Sequence, residues 1–65
     1  MKNNLNEIKI GSVIFYNFLY SNEEEKVGIV INIKKDLNFS AMIYLLCENE
    51  IDVIPFSIMS FKVLK

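Results

Sequence analysis

The side chains able to do chemistry are few, and their types restrict that chemistry sharply. The chain has no histidine and one cysteine, Cys47; its acids are Glu7, Glu23, Glu24, Glu25, Asp36, Glu48, Glu50 and Asp52. Without histidine, neither a Cys–His pair nor a Ser–His–Asp relay can be assembled. General acid–base work would have to come from paired carboxylates. The acids cluster in two polar stretches, Glu23-Glu24-Glu25 and Glu48-Asn49-Glu50, which read as solvated loops. Adjacent carboxylates on a loop, with no further ligands, make a weak divalent-ion site at best. Cys47 is followed directly by Glu48, with no neighbouring cation to activate it, so it reads as a small buried hydrophobe. A single cysteine permits no internal disulfide, and without histidine it offers no zinc set. The expectation is a non-enzymatic protein with no catalytic residue, no metal and no cofactor.

The cations are seven lysines with no arginine, and the formal net charge is −1. Lys26, Lys34, Lys35 and Lys62 are the residues that could touch phosphates. A near-neutral chain has no net field to draw in nucleic acid, however, and it lacks the forked guanidinium that reads guanine edges. Asp36 and the acidic loop blunt the local field further, so nucleic-acid contact is the alternative reading. Tyr16, Phe18, Tyr20 and Tyr44 could in principle line an aromatic cage for a cation. Strand alternation scatters those rings between faces, and core or interface packing is the simpler role for them.

These residues must be positioned by a small scaffold. Sixty-five residues make one domain, and a chain of that size buries only about 60% of the surface its unfolded form exposes. Runs rich in β-branched and aromatic residues predict strands at 13–20, 27–33, 41–47, 51–54 and 60–64. Pro55 cuts off the fourth run, and residues 56–59 are long enough for one helical or 3-10 turn. The polar stretch 21–26 predicts an exposed loop, 34–38 a turn, and 48–50 a hairpin turn. Short links make the second, third and fourth strands an antiparallel meander. Leu5, Ile8 and Ile10 could form a helical turn or a strand against the mouth of the fold. No apolar run is long enough to span a bilayer as a helix, and the polar N-terminus lacks the apolar stretch of a signal peptide. With a free cysteine, this predicts a soluble protein of the cytoplasm.

Three pieces of the chain resemble the SH3-like barrels. Ile10-Gly11-Ser12-Val13-Ile14 is similar to the Gly-Asp-x-Val opening of the first strand of that fold, with Ser12 at the Asp position. Val27-Gly28-Ile29-Val30-Ile31-Asn32-Ile33 resembles the Gly-x-Val-x-x-Ile second strand of KOW-type barrels. Residues 53–64 look like the strand, 3-10 turn and final strand that end the fold. The pattern is most similar to very short SH3-like proteins encoded by tailed phages, which implies a five-stranded all-β barrel over 10–65 with an N-terminal extension at 1–9. It would also fit a role in virion assembly or in binding a host protein. Two departures stand out: the turn at 48–50 lacks the glycine often found there, and Cys47 occupies a position where many relatives carry tryptophan. With no tryptophan anywhere, the chain is a poor match to the SH3 domains that grip proline-rich peptides. Gly11 and Gly28 are read as bends or bulges at barrel corners.

The composition is 52% hydrophobic, more than one small core needs. In the register implied by the resemblance, Ile14, Tyr16, Val30, Ile33, Ile43, Leu45, Cys47, Val53, Met59 and Val63 point inward. The opposite positions are apolar as well: Val13, Phe15, Ile29, Ile31, Met42, Tyr44, Leu46 and Ile54. Contiguous apolar side chains on neighbouring strands form a patch that a monomer rarely exposes. These eight residues are the expected interface of a protein-interaction or assembly module, with a second copy of the chain or another protein as partner.

Overall fold

The protein is described from a computed structural model covering residues 5–35 and 41–65. It is all-β apart from two short 3-10 turns. After a 3-10 turn at Leu5–Glu7 come β1 (Val13–Phe18), β2 (Lys26–Lys34), β3 (Met42–Cys47) and β4 (Glu50–Pro55), then a second 3-10 turn at Phe56–Ile58 and β5 (Met59–Val63). The five expected strands are present with shifted ends. β1 stops at Phe18 rather than Tyr20, because Leu19 donates its N–H to Ile58 O and Ser21 donates to Phe18 O, closing a turn. Residues 36–38 of the expected turn at 34–38 lie outside the described residues.

All pairings are antiparallel, and the strand order is β4-β3-β2-β1-β5. The closed barrel expected from sequence is therefore replaced by an open sheet with β4 and β5 as its edges. β4 spends its six residues on β3 and β5 its five on β1, and no ladder joins the two edges among the described residues. The sheet is nonetheless strongly curled. Laid flat, edges four strand spacings apart would be about 19 Å distant, yet only the three-residue turn Phe56–Ile58 joins β4 to β5. A bulge in β2 provides part of the bend: Val30 pairs with Leu45 and Asn32 with Tyr44, leaving Ile31 unopposed. That extra residue lets Val30 and Ile33, three positions apart, both turn toward the core. Gly11, at φ +97°, starts the first strand pair, donating to Val30 O while Ser12 O accepts from Val30 N–H.

The core fills the concave side with Ile14, Tyr16, Val30, Ile43, Leu45, Ile54, Met59 and Phe61, joined by Ile8 and Ala41; Leu5, Ile33, Cys47 and Phe56 pack against it. Two expected inward residues are corrected. Val53 is 42% exposed while Ile54 is 3% exposed, the reverse of the expected order. The hairpin turn decides this: Glu48 and Asn49 alone connect the strands, so Cys47 pairs with Glu50, Leu45 with Asp52 and Ile43 with Ile54. Val63 faces Ile14 across β1 but is left partly exposed near the end of the chain. Ile8, Ala41 and Phe61 are core residues outside the expected set, and Phe61 meets Phe56 with ring centroids 5.7 Å apart. The hairpin turn itself does without glycine by placing Glu48 (φ 50°) and Asn49 (φ 68°) both in the left-handed region, the geometry that matches the twist of a two-residue hairpin.

Gly28 pairs in regular register with Ile14, the bulge of β2 lying at Ile31 instead, and its role is one of packing. A Cβ there would stand 2.7 Å from Cε1 of Tyr16 and 3.2 Å from Leu46 O, so the buried ring occupies the space a side chain would need. Gly28→Ala is expected to lower stability by about 1–3 kcal/mol, seen as a lower urea midpoint. A variant as stable as the parent would mean that the ring is not held against β2. Replacing the turn by Glu48→Asn with Asn49→Gly is expected to raise stability by about 1 kcal/mol, because both residues tolerate the left-handed region better.

Candidate functional site

Two surfaces concentrate the unusual features, one polar and concave, one apolar and convex. The polar one is built around Tyr16. Its position opposite Lys26 on β2 and Phe61 on β5 directs the ring across the concave side of the sheet. There it is 1% exposed, and its hydroxyl donates to Asp52 Oδ2 at 2.8 Å. Lys26 Nζ approaches the same oxygen at 3.4 Å. Asp52 lies on the inner side of edge strand β4 because it pairs with buried Leu45. Burial first, then the hydrogen bond to Asp52 and contact with Cys47, push the Tyr16 hydroxyl well above the ordinary tyrosine value of 10.0. Beyond this group opens a cleft of about 450 Å³ lined by Glu25, Lys26, Val27, Cys47, Glu48, Glu50 and Asp52. It is rich in carboxylates, but among the described residues no group of three or more Cys, Asp or Glu side chains is arranged to hold a metal ion.

The apolar surface is the outer side of the sheet. Cross-strand pairing aligns Val13, Ile29, Leu46 and Ile51 in one row over four strands. Ile29 is 43%, Leu46 40% and Ile51 59% exposed. A second row places Tyr44 beside Val53 and Asn32, and a third places Met42 between Lys34 and Pro55. Phe15 and Val27 extend the surface onto β1 and the start of β2. Seven of the eight expected interface residues, Val13, Phe15, Ile29, Ile31, Met42, Tyr44 and Leu46, lie outside the core on this side. Ile54 is the exception, buried on the other side. Val27, Ile51 and Val53 join the surface instead. The signal that would have placed Ile51 and Val53 is the two-residue turn, since it locks β4 to β3 and makes Ile54 share the inward side of Ile43.

The lysines considered for phosphate contact are not gathered. Lys26 is engaged with Asp52 at one end of β2, and Lys34 stands 5.2 Å from the Tyr44 ring centroid at the other. Lys35 follows the end of β2, while Lys62 lies on β5 opposite Phe15. Nor do the aromatic residues form a cage. Tyr16 is in the core, Tyr44 on the outer face, and Phe18 and Tyr20 at the end of β1 and in the turn after it. No helix of the described residues is long and apolar enough to cross a membrane. Compared with protein-family models, curated proteins and solved structures, the chain finds no match.

Tyr16→Phe removes the hydroxyl that Asp52 accepts from. Because Asp52 remains partly solvated and keeps Lys26, the loss is expected to be about 1 kcal/mol near neutral pH. The same variant has a pH signature. Below pH 10 the tyrosine is neutral whether folded or unfolded; above it, the unfolded chain releases the proton that the folded chain retains. Stability therefore falls as pH rises past the ordinary tyrosine value. Tyr16→Phe is expected to show a shallower alkaline loss than the parent in urea melts at pH 9 to 11. Parallel curves would contradict the part-buried Tyr16–Asp52 bond.

Proposed function

We propose that the chain is an SH3-like assembly module that binds a second copy of itself through the outer face of its β2-β3-β4 half. The SH3-like assignment is supported by the strand order, with β5 returning to β1 after a 3-10 turn, and by the bend in β2. The resemblance to short phage-encoded proteins points in the same direction, toward a component of a larger assembly.

The observation that carries the reading is the exposed apolar row Ile29–Leu46–Ile51, backed by Ile31, Tyr44 and Val53. Its residues are contiguous across three hydrogen-bonded strands, unlike the scattered apolar side chains normal on a protein surface. A standard interface takes about 800 Å² per partner, about a sixth of the 4991 Å² this chain exposes. Self-association through one patch requires that the patch meet itself about a two-fold axis, the commonest symmetry of soluble oligomers.

Size-exclusion chromatography with light scattering at tens of micromolar is expected to give twice the 7.6 kDa chain mass. Leu46→Lys places a charge in the middle of the face and is expected to return the monomer with an unchanged far-UV circular dichroism spectrum. A parent protein that runs as a monomer would refute the reading.

A further inference from the structure

Resting on that self-association, we infer that the two copies pack face to face with their strands running antiparallel, so that Lys34 of each copy meets Glu25 and Glu48 at the acidic end of the other. The reason lies in how charge is distributed along the face. Among the outward positions of β2, β3 and β4 there is a single charged side chain, Lys34, in the row with Met42 and Pro55. Its ammonium lies 5.2 Å from the Tyr44 ring centroid, which holds it along the face. The acids sit at the opposite end of the same strands. Glu25 immediately precedes β2 and Glu48 lies in the β3–β4 turn; both border the 450 Å³ cleft. Lys26, the cleft's one cation, is already engaged by Asp52.

A two-fold axis that brings this face against itself lies in the plane of the face, and its two limiting directions run parallel and perpendicular to the strands. An axis parallel to the strands superposes like ends, gathering Glu25 and Glu48 from both copies at one end and both Lys34 side chains at the other. An axis perpendicular to the strands superposes unlike ends. Each Lys34 is then set over its partner's acidic end, with Tyr44 of each copy over Leu46 of the other between them. Like charges brought together at an interface are costly, and unlike charges select register and orientation. The apolar rows therefore supply contact area, and the ends decide direction.

The test is a charge exchange between two variants of the full chain at low ionic strength. Lys34→Glu alone faces acid with acid, and Glu25→Lys with Glu48→Lys alone faces lysine with lysine. Each is expected to weaken the homodimer about tenfold in sedimentation equilibrium. Mixed one to one, with one variant nitrogen-15 labelled, they are expected to form a heterodimer of near-parental affinity in native mass spectrometry, because one end contact is restored with reversed sign and the other keeps its parental lysine–acid pair. Homodimers of parental affinity for both variants, whatever the mixed species does, would overturn the antiparallel arrangement while leaving self-association standing, because a dimer with like ends together already holds like charges in the parent. A monomeric parent would overturn both. Circular dichroism of each variant separates a lost interface from a lost fold.

Discussion

One side chain spans the curl of the sheet and ties its strands together. Tyr16 leaves β1, passes over Gly28 of β2 where no Cβ intrudes, and donates its hydroxyl to Asp52 of β4. Three strands are tied by one buried residue. The ring contributes apolar burial, and the hydroxyl gives the carboxylate on the concave side a partner. Asp52 also places an inward charge on an edge strand and Pro55 ends it, two devices that keep an open edge from pairing with another chain. β4 is thereby discouraged from edge-to-edge growth while its outer residues, Ile51 and Val53, remain available for face contact.

The distribution of apolar residues follows from that curl. A sheet of five short strands has a concave side of limited volume, and it is filled by Tyr16, Ile14, Ile43, Leu45 and Val30 with their neighbours. The remaining apolar side chains have no inner position to take and lie on the convex side. There is no disulfide, and no metal cluster among the described residues, to supplement the small core. Covering the outer face would add buried area to a chain whose own core is limited. Binding would then also stabilise the fold by mass action.

Much of the architecture was legible in the residues. Strand positions followed from β-branched runs, the 3-10 turn from Pro55 and the short link after it, and the apolar outer face from the lack of polar alternation in Met42–Cys47. The lack of a histidine relay was equally plain. Less legible was β4, where Ile51-Asp52-Val53-Ile54 offers apolar residues of either parity. A register that buries Val53 looks as reasonable as one that buries Ile54, because turning an aspartate toward the core goes against the usual pattern. Nothing near Asp52 in sequence shows that Tyr16, 36 positions away, reaches it.

The sequence by itself determined the strand content, the surplus of apolar residues and the restricted chemistry, since these depend on residue type and local period. The tertiary structure decided which side of β4 is buried, that Ile8 and Phe61 belong to the core, and that the sheet curls without closing. The physical reason is that a period of two assigns alternate residues to opposite sides but does not say which side is inside. Where both sides are apolar, that choice falls to pairing across the Glu48–Asn49 turn and to the Tyr16–Asp52 bond, both of which exist only once the strands are side by side.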